Sequence, residues 1–189
     1  ADLIYAIGFD AVELIKPWSP KANVIHIDST PNTDQIYPAG EEYVGNIAAI
    51  VRHLSAELSA PGPKWSEKEI AAHREQLSAL YYAGRVAGKL NPTDVIDIVQ
   101  AAMPDNAVVT SDVGSHKLLV GQGWTTRVPK GVLMTNGLSS MGYSLPAAIA
   151  AKLMMPDRQI VCFTGDGGLA MVQGELRLAA SLKLGIIVV

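Results

Sequence analysis

The sequence predicts an α/β fold built from parallel sheets with helices on both faces, and three observations lead there. From residue 91 onward, short β-rich apolar runs alternate with stretches of helical periodicity, the order that yields a parallel sheet covered on both sides. The run Ile160-Val161-Cys162-Phe163 has no polar alternation, which suits a strand buried on both faces. Small polar or glycine-rich loops follow these strands and open helices, as at the ligand-binding edge of an open α/β sheet.

Taken in order, Leu3–Ile7 and Val24–Ile27 read as strands, with a shorter one near Tyr43-Val44. A helix follows from Asn46, an N-cap residue type, to Leu58, closing a first unit over 1–59. Ala60-Pro61-Gly62-Pro63 is the clearest linker, and 60–90 is expected to hold that linker and a connecting helix. Ser66 and Glu69 have capping-box spacing, and Ile70, Leu77, Leu80 and Tyr81 form the apolar stripe of that helix. The second α/β unit, 91–189, opens with Asn91 as N-cap and Pro92 at the first helical position. It continues as helix 92–102, strand 107–112, helix 115–121, strand 132–135, helix 144–154, strand 159–164, helix 169–184 and a strand starting at Ile186. Gly174 falls inside the last helix, at a cost of ~1 kcal/mol relative to alanine.

Composition narrows the function classes. Half of the residues are hydrophobic (49%), 17% are charged, and the net charge is −3, as in an ordinary globular protein. No basic excess points to nucleic acid, and no run approaches the ~18–20 apolar residues needed to span a membrane. The one cysteine, Cys162, sits in a core-like strand and excludes a disulfide framework, so a reducing, cytoplasmic location is expected. The chain enters a strand at once after Ala1-Asp2 and stops at Val189 in another, so both ends are expected to lie inside a larger fold.

The densest chemistry lies in Gly165-Asp166-Gly167-Gly168, between strand 159–164 and a helix marked by Leu169, Val172, Leu176 and Ala179. Glycines let the backbone approach a ligand, and a helix N-terminus favours phosphate oxygens. A carboxylate among them would repel a phosphate unless a cation lay between, so Asp166 reads as a Mg²⁺ ligand. A second reading, Asp166 as a helix cap, stays open on these residues alone. Two further loops, Ser111-Asp112-Val113-Gly114-Ser115-His116 and Asn136-Gly137-Leu138-Ser139-Ser140-Met141-Gly142, should reach the same sheet edge and make a better anion site than one loop.

Three motifs now carry a resemblance: Asp112-Val113-Gly114-Ser115-His116; Gly137-Leu138-Ser139-Ser140-Met141-Gly142 followed by Leu145-Pro146-Ala147-Ala148; and Gly165-Asp166-Gly167-Gly168 with Glu175-Leu176. In order and spacing they resemble the thiamine-diphosphate-dependent enzymes of the acetolactate synthase, pyruvate oxidase and 2-oxoacid decarboxylase superfamily, the acetolactate synthase-like branch above all. The resemblance makes 91–189 most of a diphosphate-binding domain and 1–59 the C-terminal half of a Rossmann-like middle domain. It implies Asp166 as the first Mg²⁺ ligand, and Gly165, Gly167 and Gly168 as diphosphate contacts through backbone N–H groups. Gly114, Ser115 and His116 would contact the diphosphate from the first loop. Met141 matches the apolar residue that supports the bent cofactor, and its N–H and the Ser139 carbonyl would hold the pyrimidine ring. Implied with these are a 2-oxoacid substrate, a decarboxylase or carboligase activity, and a homodimer or homotetramer.

This sequence departs from the family pattern in places. Ser139 stands where the branch usually has glycine, and Gly168 replaces a frequent serine. The asparagine that completes the family's metal site would follow Val189, and the activating glutamate would belong to a domain before residue 1. No catalytic residue can therefore be named here, and the chain by itself is expected to be inactive. Some relatives bind FAD or ADP with the middle domain, and Asp28 ends a strand where an acidic residue could meet a ribose hydroxyl. The G-x-G-x-x-G fingerprint is missing, however, with only Gly8 at the first strand end. The alternative function is a non-catalytic Rossmann-like nucleotide-binding or interaction module.

Overall fold

A computed structural model describes residues 2–9, 18–32, 37–58 and 65–189, so the expected linker at 60–63 lies outside the described residues. The chain divides into two compact units, Ala1–Ser66 and Glu67–Val189.

In the first unit, β1 (Leu3–Ile7), β2 (Asn23–Asp28) and β3 (Glu41–Val44) form a sheet of that order, with both pairings parallel. Ala6, Val24 and Tyr37 are its buried core, packed with Ile4, Trp18 and Ala39. Helix α1 (Ile47–Glu57) starts where the Asn46 side chain accepts the N–H of Ala49 at 2.9 Å, the capping role expected of that residue.

The second unit runs α2 (Glu67–Tyr82), α3 (Pro92–Ala101), β4 (Val108–Ser111), α4 (Ser115–Gly123), β5 (Val132–Met134), α5 (Ser144–Met154), β6 (Ile160–Phe163), α6 (Asp166–Val172), α7 (Glu175–Ser181) and β7 (Ile187–Val188). Its strands lie in the order β5-β4-β6-β7, all parallel. Alternate strand residues feed two cores. Val108, Ile160 and Cys162 pack on Leu145, Ala148, Ile149 and Ala151 of α5, while Val109, Val161 and Phe163 meet Ile96 of α3 and Val120 and Trp124 beside α4. Every residue of β4 and β6 is buried, which explains why neither strand alternates with polar residues. Burying each such aliphatic side chain is worth roughly 1.5–3 kcal/mol, far more than local strand propensity.

From β4 the chain reaches β5 on one side through α4, then crosses by α5 to β6 on the other. The direction therefore reverses between β4 and β6, where loops diverge and leave a crevice at the C-terminal edge.

One expectation needs correction. The helix expected over 169–184 is two short helices, α6 beginning already at Asp166 and α7 at Glu175. Around Gly174 the ladder tightens to three-residue spacing, with Leu176 N–H on the Gln173 carbonyl and Arg177 N–H on that of Gly174. Gly174 keeps helical angles (φ −59°, ψ −29°), so the break lies in the hydrogen bonding and the direction of the chain is little changed. In the apolar stripe of α2, Ile70, Leu77 and Leu80 are exposed, and no residue of that helix is buried.

Candidate cofactor site at the sheet edge

The loops after β4, β5 and β6 meet at one edge, with the β4 loop in the middle. Their meeting point is Asp112, fully buried, whose backbone N–H extends the β4–β6 pairing by bonding the Phe163 carbonyl at 3.1 Å. Its Oδ1 accepts the N–H groups of Val113 (2.9 Å) and Tyr143 (3.4 Å), and its Oδ2 accepts Gly142 N–H (3.0 Å) and the Thr164 hydroxyl (3.3 Å). Gly142 is itself buried at φ +81°, a conformation in which a side chain would be strained.

His116 links the first and third loops. A Cβ built on Gly165 would lie 3.3 Å from His116 Cε1, and one on Gly114 would lie 3.0 Å from both Cε1 and Nδ1. The imidazole thus occupies space that only glycine leaves open on either side. Burial holds its pKa below the usual 6.5, although the Asp112 carboxylate pulls the other way, so the ring is neutral at pH 7. Its Nε2 is buried and has no hydrogen-bond partner among the described residues. The ring also lines a largely apolar cavity of about 360 Å³ with Phe163, Thr164 and Leu119.

The second loop reaches the third through Met141. This side chain is half-exposed, and its Cε lies 2.8 Å from where a Gly167 Cβ would stand. Ser139 adopts φ +48°, and its hydroxyl accepts Lys117 Nζ at 3.3 Å while the same ammonium bonds the Thr135 carbonyl at 2.6 Å. At the third loop a Cβ on Gly168 would overlap the Asp112 carboxylate, which accounts for glycine where serine was noted as frequent. Asp166 is the first residue of α6 and is exposed, and Ser115 is exposed at the start of α4. Among the described residues no group of three or more His, Cys, Asp or Glu is placed to hold a metal.

The structure therefore brings Gly114, His116, Met141, Gly165, Gly167 and Gly168 into one neighbourhood around Asp112. Sequence reasoning quoted Asp112 within a motif but gave it no role, and it passed over Lys117 and Thr164. A signal was available in Thr110-Ser111-Asp112, where a strand flanked by apolar residues turns polar yet stays fully buried. Below them, Thr110 Oγ1 meets Ser144 Oγ at 2.8 Å, and Ser144 Oγ lies 3.1 Å from Cys162 Sγ. Burial pushes the Cys162 thiol up, in keeping with an inert core residue.

In the first unit, Asp28 Oδ1 accepts the N–H and hydroxyl of both Ser29 and Thr30, a local turn that explains an acidic strand end without a ligand. His26 is buried, with Nδ1 2.6 Å from the Tyr37 hydroxyl and Nε2 2.9 Å from the Thr30 carbonyl. No helix among the described residues is long and apolar enough to cross a membrane.

Comparison with known proteins agrees with this geometry. Residues 112–189 match the family described as thiamine pyrophosphate enzyme, C-terminal TPP binding domain, a span that starts at Asp112. The chain is 31% identical to acetolactate synthase isozyme 1 large subunit of Escherichia coli (strain K12), over 98% of this chain and 34% of that protein. It is 30% identical to the isozyme 3 large subunit of the same organism, over 100% of this chain and 35% of that protein. Against acetolactate synthase of Bacillus subtilis (strain 168) the identity is 27%, over 99% of this chain and 34% of that protein. The chain thus spans about a third of the length of these curated relatives. Over residues 112–189 the second unit is thus similar to the C-terminal cofactor-binding domain of thiamine pyrophosphate enzymes, and nearly the whole chain is similar to one stretch of acetolactate synthases.

Proposed function

We propose that the complete protein is a thiamine diphosphate- and Mg²⁺-dependent enzyme that decarboxylates or ligates 2-oxoacids, of the acetolactate synthase type. The observation that carries this reading is the gathering of all three loops on the buried Asp112 carboxylate at the sheet's switch point. The residues fit the group. Gly165, Gly167 and Gly168 leave backbone where a side chain would crowd His116, Met141 and Asp112, and His116 Nε2 is a buried polar atom without a hydrogen-bond partner among the described residues. The exposed Asp166 carboxylate stands beside them, where a cation between it and a diphosphate would cancel the repulsion.

In this proposal Asp166 holds the cation, and Gly165, Gly167, Gly168, Gly114, Ser115 and His116 contact the diphosphate. Neutral His116 can donate from Nε2 without adding charge. Met141 supports the cofactor's rings, with its N–H and the Ser139 carbonyl binding the pyrimidine. When bound, thiamine diphosphate supplies the electron-accepting thiazolium ring needed to cleave a bond next to a carbonyl. The chain's own residues bind and orient it, and none of them is assigned a proton-transfer role. Residues 91–189 form the cofactor-binding domain, 60–90 the linker and connecting helix, and 1–59 part of a Rossmann-like middle domain. A cytoplasmic homodimer or homotetramer is part of the same reading. With one metal carboxylate, the 189-residue chain by itself should bind the cofactor weakly and be inactive. In the complete protein, Asp166→Ala should abolish Mg²⁺-dependent turnover of 2-oxoacids; turnover at the wild-type rate would refute the assignment.

A further inference from the structure

We propose that Asp112 is a positioning residue: its buried carboxylate sets the separation between the Gly137–Gly142 loop and the Gly165–Gly168 turn. The proposal rests on the thiamine diphosphate reading above. Asp112 is 0% exposed, and its oxygens accept Val113 N–H, Tyr143 N–H, Gly142 N–H and the Thr164 hydroxyl, so every loop of the site contributes a donor. Oxygens buried this deeply need such partners, since an unpaired buried acceptor is costly.

The consequence is geometric. The Gly142 N–H is fixed 3.0 Å from Oδ2, and the Gly168 backbone packs so close that a Cβ there would overlap the same oxygen and stand 3.3 Å from Gly142 N. The second and third loops thus meet across one carboxylate oxygen, with no room for a side chain at 168. Met141 immediately precedes Gly142, and its Cε already reaches the position of a Gly167 Cβ. Anchoring Gly142 therefore fixes Met141, assigned to the rings of the cofactor, relative to the turn carrying Asp166, assigned to its diphosphate. A ligand held at both ends is sensitive to that separation even when each loop is intact. Surrounded by these donors, Asp112 acts on the cofactor only through the loops it ties. Asparagine at 112 would keep the shape but replace one acceptor oxygen with a donor, which must then face a donor from one of the loops.

The test is calorimetric titration of thiamine diphosphate into the complete protein at saturating Mg²⁺, alongside thermal melting. It uses wild type, Asp112→Asn, and Ile160→Ala, a buried site at the opposite end of β6. Both variants should melt earlier, but only Asp112→Asn should bind more weakly, by at least about ten-fold, the loss expected for an ionic hydrogen bond. Wild-type affinity in Asp112→Asn, or an equal loss in Ile160→Ala, would overturn the inference. A wild-type protein that ignores thiamine diphosphate would instead bring down the functional reading, and this inference with it. If Asp112→Asn does not fold, Gly168→Ala probes the same contact from the other side. It should weaken binding at least about ten-fold with an unchanged far-UV circular dichroism spectrum, because its methyl displaces the turn from Oδ2. Unchanged affinity there would also overturn the inference.

Discussion

Ser139 shows how a single residue can look wrong for its position and still serve it. Its φ of +48° explains why glycine is the usual occupant, since a left-handed serine costs roughly 1–2 kcal/mol. The Lys117 ammonium, bridging the Thr135 carbonyl and the Ser139 hydroxyl, offsets part of that cost. Because the contact assigned to Ser139 is made by its backbone carbonyl, Ser139→Gly should leave thiamine diphosphate affinity unchanged in the complete protein and should not lower the thermal midpoint. A clear loss of affinity would mean that the hydroxyl, and not the carbonyl, matters. The same distinction separates what could be read from sequence at this scale. Residues assigned a backbone role, such as Gly165 and Gly167, could be named from motif spacing. Asp112 was not, because its role is to receive N–H groups from positions 30 or more residues away, which spacing along the chain does not reveal.

Among the elements, helix starts were the most legible because capping is local. Asn91 precedes α3, with Pro92 in its first turn as expected, and the structure adds Asp94, whose Oδ2 accepts the Asn91 backbone N–H at 2.7 Å. The Asn91 carboxamide itself turns back to the preceding segment, accepting from Val86 N–H and donating to the Lys89 carbonyl. Hydrogen bonds from the backbone and side chain of Asn91, with the Arg85 guanidinium nearby, hold the Asp94 pKa below its ordinary 3.8. A depressed carboxylate stabilises the fold above its unfolded pKa, and that contribution disappears as pH falls from about 4 through the lower folded value. Asp94→Asn should therefore destabilise the protein at pH 7 and flatten its loss of stability below pH 4 in denaturant titrations; an unchanged acid limb would contradict the assignment. Helix interiors were less legible. The 169–184 periodicity survives across the α6–α7 break because the chain keeps helical angles there, so only the hydrogen-bond pattern reports it. Gly174 has helical φ and ψ with open space around a Cβ, so Gly174→Ala should stabilise the protein by about 0.4–1 kcal/mol in denaturant unfolding. A destabilising result would show that the break needs glycine.

At the scale of the whole molecule, strand alternation and fully apolar runs were enough to foresee parallel sheets, since burial on both faces dictates composition directly. The apolar stripe of α2 was legible but its exposure was not, because periodicity reports that a helix has an apolar face and not what covers it. The order β5-β4-β6-β7 places the reversal of strand succession beside Asp112, and three loops separated widely in sequence become one edge. That convergence forms the site, and Asp166 is the carboxylate assigned to the cation in the proposed function. The direct measurement is calorimetric titration of thiamine diphosphate into the complete protein, wild type and Asp166→Ala, each with Mg²⁺ and with the metal chelated. Saturable binding that requires Mg²⁺ in the wild type and is lost in Asp166→Ala is the predicted result, whereas equal affinity in the variant, or binding indifferent to Mg²⁺, would contradict it.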